Sequence, residues 1–337
     1  MSVTIRDVAK KAGVGVATVS RVINNSDLVS PGTRGIVLQA ITELNYAPNP
    51  TARRLSLGRT FTIGVISPFF TRYSYIERLR AIEHVVSNSG YDIVVFNVES
   101  VERRDRYFRE VPRPDRVDGV IIISLSPSED HVASFRAGNV PVVLVDTVHP
   151  RLTSVCEDSV HGGSVATQHL INLGHRRIAF IGDVFENPYG FTSMRYRHIG
   201  YAEALRASGI APDENLLMLG EHGREQAREM ARALLSGSNR PTAIVAASDT
   251  QAMGALMAAR ELNLRVPEDL SVIGYDDIEV AEYLGLTTMR QSLYESGKLG
   301  VELLMRLMEA SPGDRERVET IGLPSELVVR STTGPAP

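Results

Sequence analysis

Val16, Ala17, Ser20 and Arg21 combine, within one short run, the side-chain types that read the edges of DNA bases. Wound at about 100° per residue, residues 16–23 place these four on one contiguous arc of a helix. The other arc holds Thr18, Val19, Val22 and Ile23, β-branched throughout and suited to burial. Water gives no reason to set Val16 beside Arg21. A DNA major groove does, because thymine methyls take apolar contacts and guanine takes a bidentate Arg. An ordinary helical hairpin at the start of a globular domain is the alternative.

The elements that would present this arc lie on either side of it. Residues 5–12 read as a short helix with Ile5, Val8, Ala9 and Ala12 on one side, and Gly13 marks the break. Two short helices joined by a Gly-containing turn make a helix-turn-helix, whose second helix reads bases. Ser30-Pro31 is a hydroxyl N-cap followed by Pro at the first helical position. Ile36, Val37, Ala40, Ile41 and Leu44 then recur at helical spacing up to Asn45, so a third helix can close the head. Further on, Asn49 reads as an N-cap, Pro50 as a first helical residue and Gly58 as a stop. A helix of about two turns is marginal alone, so this one is expected to fold only against a partner. A plain basic linker is the other reading.

Net charge over the 337 residues is −4, which by itself argues against nucleic acid. Its distribution argues the other way. Residues 1–60 carry eight Lys or Arg against three Asp or Glu, a surplus of five, which leaves −9 for the remainder. A basic head on an acidic body is the footprint of a chain that meets phosphate at one end. With 43% hydrophobic residues the chain can build two or three domains. No apolar run approaches the ~20 residues of a membrane span. The start, Met1-Ser2-Val3-Thr4-Ile5-Arg6, has no apolar secretion signal. Cys156 is the one cysteine, which excludes an intrachain disulfide and a cysteine-based zinc site and makes the cytoplasm the expected compartment. The histidines show no metal spacing, so no metal site is expected.

From Phe61 the texture becomes α/β. Strands are expected at 61–66, 91–96, 117–123 and 140–145, and again at 177–181, 216–219, 242–246 and 271–273. Helical stretches such as 74–89, 160–173, 195–208, 224–235 and 250–262 lie between them. Apolar β-branched strands alternating with helices indicate parallel sheets covered on both faces. Two such series predict two doubly wound subdomains. Ligands in such folds bind beyond the carboxyl ends of strands, so the cleft between the subdomains is the natural site.

The whole chain, from Thr4 to near Arg330, resembles the LacI/GalR family of transcriptional repressors. The motifs that carry the resemblance begin with Thr4-Ile5-Arg6-Asp7-Val8-Ala9, the run from Gly13 to Asn24, and Tyr46-x-Pro48-Asn49-x-x-Ala52-Arg53-x-Leu55. In the body they are Gly162-Gly163, His169-Leu170-x-x-Leu173-Gly174-His175-Arg176-Arg177-Ile178, Ser248-Asp249-x-x-Ala252-x-Gly254-Ala255, Gly274-Tyr275-Asp276-Asp277 and Thr287-Thr288. The resemblance implies a helix-turn-helix domain over 1–47, a hinge helix and linker over 48–60, and an effector-binding and dimerisation domain over 61–337. That last domain would resemble periplasmic sugar-binding proteins, with an N-subdomain of 61–159 and 290–322 and a C-subdomain of 160–289 and 323–330. The chain would cross between them near 159, 289 and 323. A homodimer on near-palindromic double-stranded operator DNA is implied, with contacts from Thr4, Val16, Ala17, Thr18, Ser20, Arg21, Asn24, Thr33, Tyr46, Asn49 and Ala52. Leu55 matches the leucine wedged into the minor groove, a general device for kinking DNA.

The same resemblance assigns effector contacts to Tyr75, His161, Ser193, Arg197, His222, Ser248 and Asp276. Asp276 follows the apolar strand at 270–274 and would bind effector hydroxyls; a helix cap is its alternative. Arg197 would join it, with a structural ion pair as the alternative, and Tyr75 would stack. An Asp–Arg pair with aromatic faces suits a sugar. Three departures stand out: Gly15 where the family has Ser, Pro50 in the hinge, and an insertion around residues 68–72 that takes in Pro68-Phe69-Phe70. Tyr73, Phe185 and Tyr189 are assigned outside the pocket. The expected function is thus a DNA-binding regulator controlled by a small molecule, a sugar in the first reading, with no cofactor and no membrane partner. A corepressor-dependent regulator of non-sugar metabolism and a sugar-binding protein without DNA activity are the alternatives. An α/β enzyme is not expected, for there is no Gly-x-Ser-x-Gly elbow and no phosphate loop.

Overall fold

Thr4 starts the first helix: its backbone N–H and its hydroxyl both donate to the Asp7 carboxylate, at 2.9 and 2.7 Å. The structure, a computed structural model, describes residues 3–23, 26–46, 58–311 and 313–337. It divides into two units, Met1–Thr60 and Phe61–Pro337. In the first, α1 (Ile5–Ala12) ends at Gly13, whose φ of 66° is the left-handed value that glycine adopts without strain. The helices α2 (Val16–Ile23) and α3 (Pro31–Glu43) follow, and the Ser30 hydroxyl caps α3 by accepting from the Thr33 N–H at 3.3 Å. Val8, Ala9, Val19, Val22, Val37 and Ala40 form the buried core. Ile36, expected on the apolar stripe, is 54% exposed. It lies about 90° from the centre of the stripe that Val37, Ala40, Ile41 and Leu44 define, so the other helices do not reach it.

The body opens with β1 (Thr62–Pro68), α4 (Tyr73–Val86), β2 (Asp92–Val98), α5 (Val101–Glu110), β3 (Gly119–Ile123), α6 (Glu129–Ala137), β4 (Val142–Val145) and β5 (Thr153–Glu157). A second series has α7 (Ser159–Asn172), β6 (Ile178–Asp183), α8 (Ser193–Ala207), β7 (Leu217–Gly220), α9 (Arg224–Leu235), β8 (Ala243–Ala246), α10 (Asp249–Glu261), β9 (Ser271–Asp276), α11 (Glu279–Tyr283) and β10 (Thr287–Gln291). Then come α12 (Leu293–Glu309), β11 (Thr320–Leu323) and β12 (Ser325–Val328). One sheet runs β11-β5-β4-β3-β1-β2, the other β12-β10-β9-β8-β6-β7, and every pairing is parallel except that of β10 with β12. Strand residues alternate between faces as the pleat requires. Ile63, Val65, Ile121 and Val143 join the core under α4 and α12, while Ile66, Val120, Ile122 and Leu144 pack with Phe108 and Phe135.

The chain passes between the two sheets at Asp158, at Ser292 and at Pro324. Arg290 and Gln291 still pair within the second sheet, and Leu323 pairs within the first, so these residues sit across the boundaries read from sequence. The apolar periodicity does not mark β5, β10, β11 and β12, where Thr, Ser, Glu and Gln interrupt it. Nor do the expected helical stretches include α5, α6, α11 or α12. In α5 charged residues hide the signal, and a single Phe108 supplies the burial.

Past Arg330 the chain folds back on the second sheet, where the Thr332 carbonyl accepts from the Val272 N–H at 2.8 Å and Ala336 donates to the Leu173 carbonyl at 2.9 Å. His175 fastens this return. It is fully buried, with Nδ1 2.9 Å from the Thr242 hydroxyl and Nε2 3.0 Å from the Ser271 hydroxyl and 3.1 Å from the Gly334 carbonyl. Burial lowers its pKa. Below pH ~6.5 an unfolded His takes up a proton that the native imidazole resists, so this site loses stability as pH falls. The melting-temperature advantage of the native chain over His175→Gln is therefore expected to shrink between pH 7.5 and 5.5; a constant gap would contradict the neutral imidazole.

Candidate functional site

In the head, α2 buries Val19 and Val22 and leaves Val16, Ala17 and Arg21 exposed, with Thr18 and Ser20 half-buried. Val16 is 42% exposed on a helix that has an apolar side available, so its outward position is not forced by packing. The Thr4 hydroxyl is held by Asp7, and the Thr33 hydroxyl lies 2.9 Å from that of Ser30. Tyr46 packs half-buried against the head core. Asn24, Asn49, Ala52 and Leu55 lie outside the described residues, as does the expected hinge helix.

In the body, a cleft open to solvent lies between the two lobes that the two sheets define. Tyr75, Ser193, Arg197, His222 and Asp276 all line it. His161 does not: it is exposed on the first turn of α7, where its backbone N–H is bonded to Asp158. Nor does Ser248, which is buried as the cap of α10, accepting from the Gln251 N–H at 3.2 Å; its neighbour Thr250 lines the cleft instead. Tyr73, assigned elsewhere from sequence, is a lining residue because α4 begins there.

Asp276 ends β9 with φ of 114°, a left-handed backbone value that is costly outside glycine. Its Oδ1 accepts from Gln291 Nε2 and lies 3.6 Å from Arg197 Nη1. Arg197 is clasped further. Its Nη1 donates to the Ala247 carbonyl at 2.6 Å, and its Cζ stands 3.7 Å over the Tyr275 ring. The α8 backbone that carries it lies against α7 so closely that a Cβ on Gly163 would fall 2.1 Å from the Arg197 carbonyl oxygen. Burial pushes the Asp276 carboxyl up, against the pull of Arg197 and Arg78. Behind it, Asp249 is fully buried, accepting from the Thr288 hydroxyl at 2.5 Å and the Ile278 N–H at 2.9 Å. Burial, and then the charge of Asp276, hold Asp249 well above the usual carboxylate range. The Ser248-Asp249 motif therefore braces the strand ends rather than facing the cleft.

Among the lining residues that sequence reasoning missed are Arg78, Asp146, Asp183 and Gln291. Arg78, 3% exposed on α4, pairs with Asp146 at 3.1 Å and donates to Gln291 Oε1 at 3.2 Å. Asp146 also accepts from Ser124 at 2.6 Å, and burial with the Asp146 charge pushes the Tyr75 phenol up to about 12. Asp183 ends β6, accepts from Gln251 at 2.8 Å and holds His222 Nδ1 at 3.1 Å. Asp146 and Asp183 each close an apolar strand, the signal that marked Asp276. Gln291 gave no signal, yet it links the lobes: it accepts from Arg78 of the first and donates to Asp276 of the second. Gln291→Leu keeps the volume but leaves a buried guanidinium and a buried carboxylate each short of a partner. It is expected to cost about 1–3 kcal/mol in urea unfolding; an unchanged midpoint would mean the bridge contributes nothing.

Comparison with known proteins matches both units. Residues 4–49 fit the pattern of the bacterial regulatory proteins of the lacI family, and residues 167–333 fit a periplasmic binding protein-like domain. The chain is 33% identical to catabolite control protein A of Priestia megaterium, over 99% of this chain and 100% of that one. It is 35% identical to the ribose operon repressor of Halalkalibacterium halodurans, over 98% and 97%. Among solved structures, the lac repressor dimer bound to operator and the anti-inducer ONPF superposes with a TM-score of 0.86 at 30% identity, over 99% of this chain and 100% of that one. Since the likeness runs through nearly the full length of each, the chain belongs to the lacI family: a DNA-binding transcriptional regulator whose body is a periplasmic-binding-protein-like ligand domain.

Proposed function

We propose that this regulator is a homodimeric repressor whose operator affinity is set by a small, uncharged sugar held in the cleft. One observation carries the ligand class. The cleft lining sets three guanidinium groups, of Arg72, Arg78 and Arg197, against three carboxylates, of Asp146, Asp183 and Asp276. Charge is already balanced inside the protein, so a charged ligand gains no free counter-ion there. What remains is a mixture of hydrogen-bond donors and acceptors with the Tyr75, Tyr73 and Phe191 rings beside them. Hydroxyl groups both donate and accept, and sugar C–H faces pack on aromatic rings. The ribose operon repressor among the relatives agrees with this class. On this reading Asp276, Arg197, His222, Ser193 and Tyr75 contact the ligand, and His161 and Ser248 act on it indirectly if at all.

The head reads the operator through Val16, Ala17 and Arg21, with Thr4, Thr18, Ser20, Thr33 and Tyr46 placing it on the backbone. Asn24, Asn49, Ala52 and the Leu55 wedge complete the set from the sequence. Dimerisation is supported by exposed apolar side chains that a monomer would leave in water: Ile76 on α4, Val94 and Val95 on the edge strand β2, and Tyr283 on α11. A gel shift of the full-length protein on its own upstream DNA, with and without sugars, tests the whole reading. Arg21→Ala is expected to weaken specific binding by about 1–3 kcal/mol and to relax selectivity at one base position; unchanged affinity and selectivity would remove Arg21 from the readout.

Asp276→Ala is expected to give a folded dimer with near-normal operator affinity that no longer answers to the sugar. A coupling of 1–3 kcal/mol is typical of such switches, and the loss of a charged hydrogen-bonding partner is of the same order. Asp276→Asn, which keeps the Gln291 contact, guards against a folding defect. A normal response in both variants would place the effector elsewhere, and unfolding of both would make Asp276 structural.

A further inference from the structure

One segment of the second lobe leaves its own sheet and is fastened to the first. It lies between β6 and α8, and Asn187 shapes it. The Asn187 Oδ1 accepts from the N–H groups of Tyr189 and Phe191, at 3.2 and 2.9 Å, and its Nδ2 donates to the Phe191 carbonyl at 2.9 Å. The turn so formed is gripped from the other lobe. Ser126 Oγ donates to the Gly190 carbonyl at 2.8 Å, and the Arg104 guanidinium donates to the Pro188 carbonyl. The Tyr189 hydroxyl donates to the Glu99 carbonyl at 2.8 Å.

Rings add to these bonds. Tyr189 stacks on Phe191, with centroids 5.3 Å apart and planes at 15°, and meets the edge of Phe69 at 5.4 Å and 75°. The Arg72 guanidinium lies 4.2 Å over the other end of this series, on Phe69. Phe191 and Arg72 both line the cleft, so the stack joins one of its walls to the other. Phe69 belongs to the stretch that departs from the family pattern, and it is seated on β2, where its N–H donates to the Val98 carbonyl at 3.3 Å. A turn that merely connected β6 to α8 would turn its carbonyls to water. This one gives them to side chains of the facing lobe.

We propose that residues 187–191 are a latch: they hold the second lobe against the first and must let go before a ligand enters or leaves the cleft. The role as a gate rests on the effector reading above; the latch does not. Opening the lobes breaks the Ser126, Glu99 and Arg104 bonds and unstacks Tyr189 from Phe69 together, because all four partners sit on one lobe. Closure is thus an all-or-none engagement of a small surface, and weakening any part of it raises the open fraction.

The test needs no ligand. Thr250 lines the cleft from the second lobe and carries none of the latch contacts. In full-length protein with Cys156→Ser, a thiol introduced by Thr250→Cys reports access through its rate of reaction with N-ethylmaleimide. Adding Tyr189→Ala or Ser126→Ala is expected to raise that rate several-fold while the urea midpoint shows the body still folded. Equal rates with and without the two latch substitutions would overturn the proposal, because access would then not depend on these contacts. D-ribose and D-glucose, added to the same reporter, address the other reading separately. If neither slows the reaction, the sugar assignment suffers while the latch stands on the first comparison.

Discussion

A buried charge must be answered within the protein, and the body is arranged around that requirement. Arg78 and Arg197 are each 3% exposed, and Asp276 8%. Left alone in a low-dielectric interior, any of them would cost several kcal/mol. Asp146 answers Arg78, Gln291 joins Arg78 to Asp276, and Asp276 lies beside Arg197. The Ala247 carbonyl and the Tyr275 face complete the surroundings of Arg197. These groups come from both lobes, from helices and strand ends far apart in sequence. Both sheets must therefore be in place, with their carboxyl ends facing, before the charges are satisfied.

The backbone records the strain of that convergence. Ser124, Asp146 and Asp276 have φ of 58°, 64° and 114°, and each stands at the carboxyl end of a strand beside the cleft. Non-glycine residues held there cost on the order of 1–3 kcal/mol each and persist where the surroundings over-determine them. Ser124 and Asp146 bond to each other, and Asp276 is held by Gln291, so the side chains that line the cleft also fix its unfavourable backbone. Close helix contacts supply the rest of the constraint. A Cβ on Gly200 would lie 1.9 Å from the Val160 carbonyl oxygen, and one on Gly274 2.3 Å from Asp249 Oδ1. The first lets α8 lie flat on α7 and so sets the depth of Arg197. The second admits the buried carboxylate that ties α10 to the ends of β9 and β10.

What the sequence made legible follows from how local each signal is. The limits of α1 and α2 were readable because caps and a 3.6-residue period act within a turn or two, and Thr4, Gly13 and Val19 behave as their types predict. Asp276 was legible through the family motif Gly274-Tyr275-Asp276-Asp277, at the end of an apolar strand. Arg78 was not: in Glu77-Arg78-Leu79-Arg80 it reads as one more charge on a solvated helix face, and the counter-charge that makes its burial tolerable, Asp146, stands sixty-eight residues on. Ser248 misled in the opposite sense. Its hydroxyl is committed locally to Gln251, a capping use that a serine before a helix always permits. Gln291 lies on a strand whose pattern is broken by polar residues, and both its partners precede it, Asp276 by 15 residues and Arg78, on the other lobe, by 213. Burial of polar groups is a tertiary fact, and periodicity reports it poorly.

Two ties join the lobes across this cleft, the Arg78–Gln291–Asp276 bridge and the turn at 187–191. A ligand bound there shifts the balance between closed and open arrangements only by its difference in affinity for the two. Because Gln291 donates to the same Asp276 oxygen that faces Arg197, a hydroxyl group arriving at Asp276 either adds to that donation or displaces it. Addition would tighten the lobes and displacement would loosen them. On the proposed effector reading, the sign of the response turns on this one carboxylate, by whether the incoming hydroxyl leaves Gln291 its acceptor. A coupling of 1–3 kcal/mol, enough for a 5–150-fold change in operator affinity, is of the size of a single such hydrogen bond.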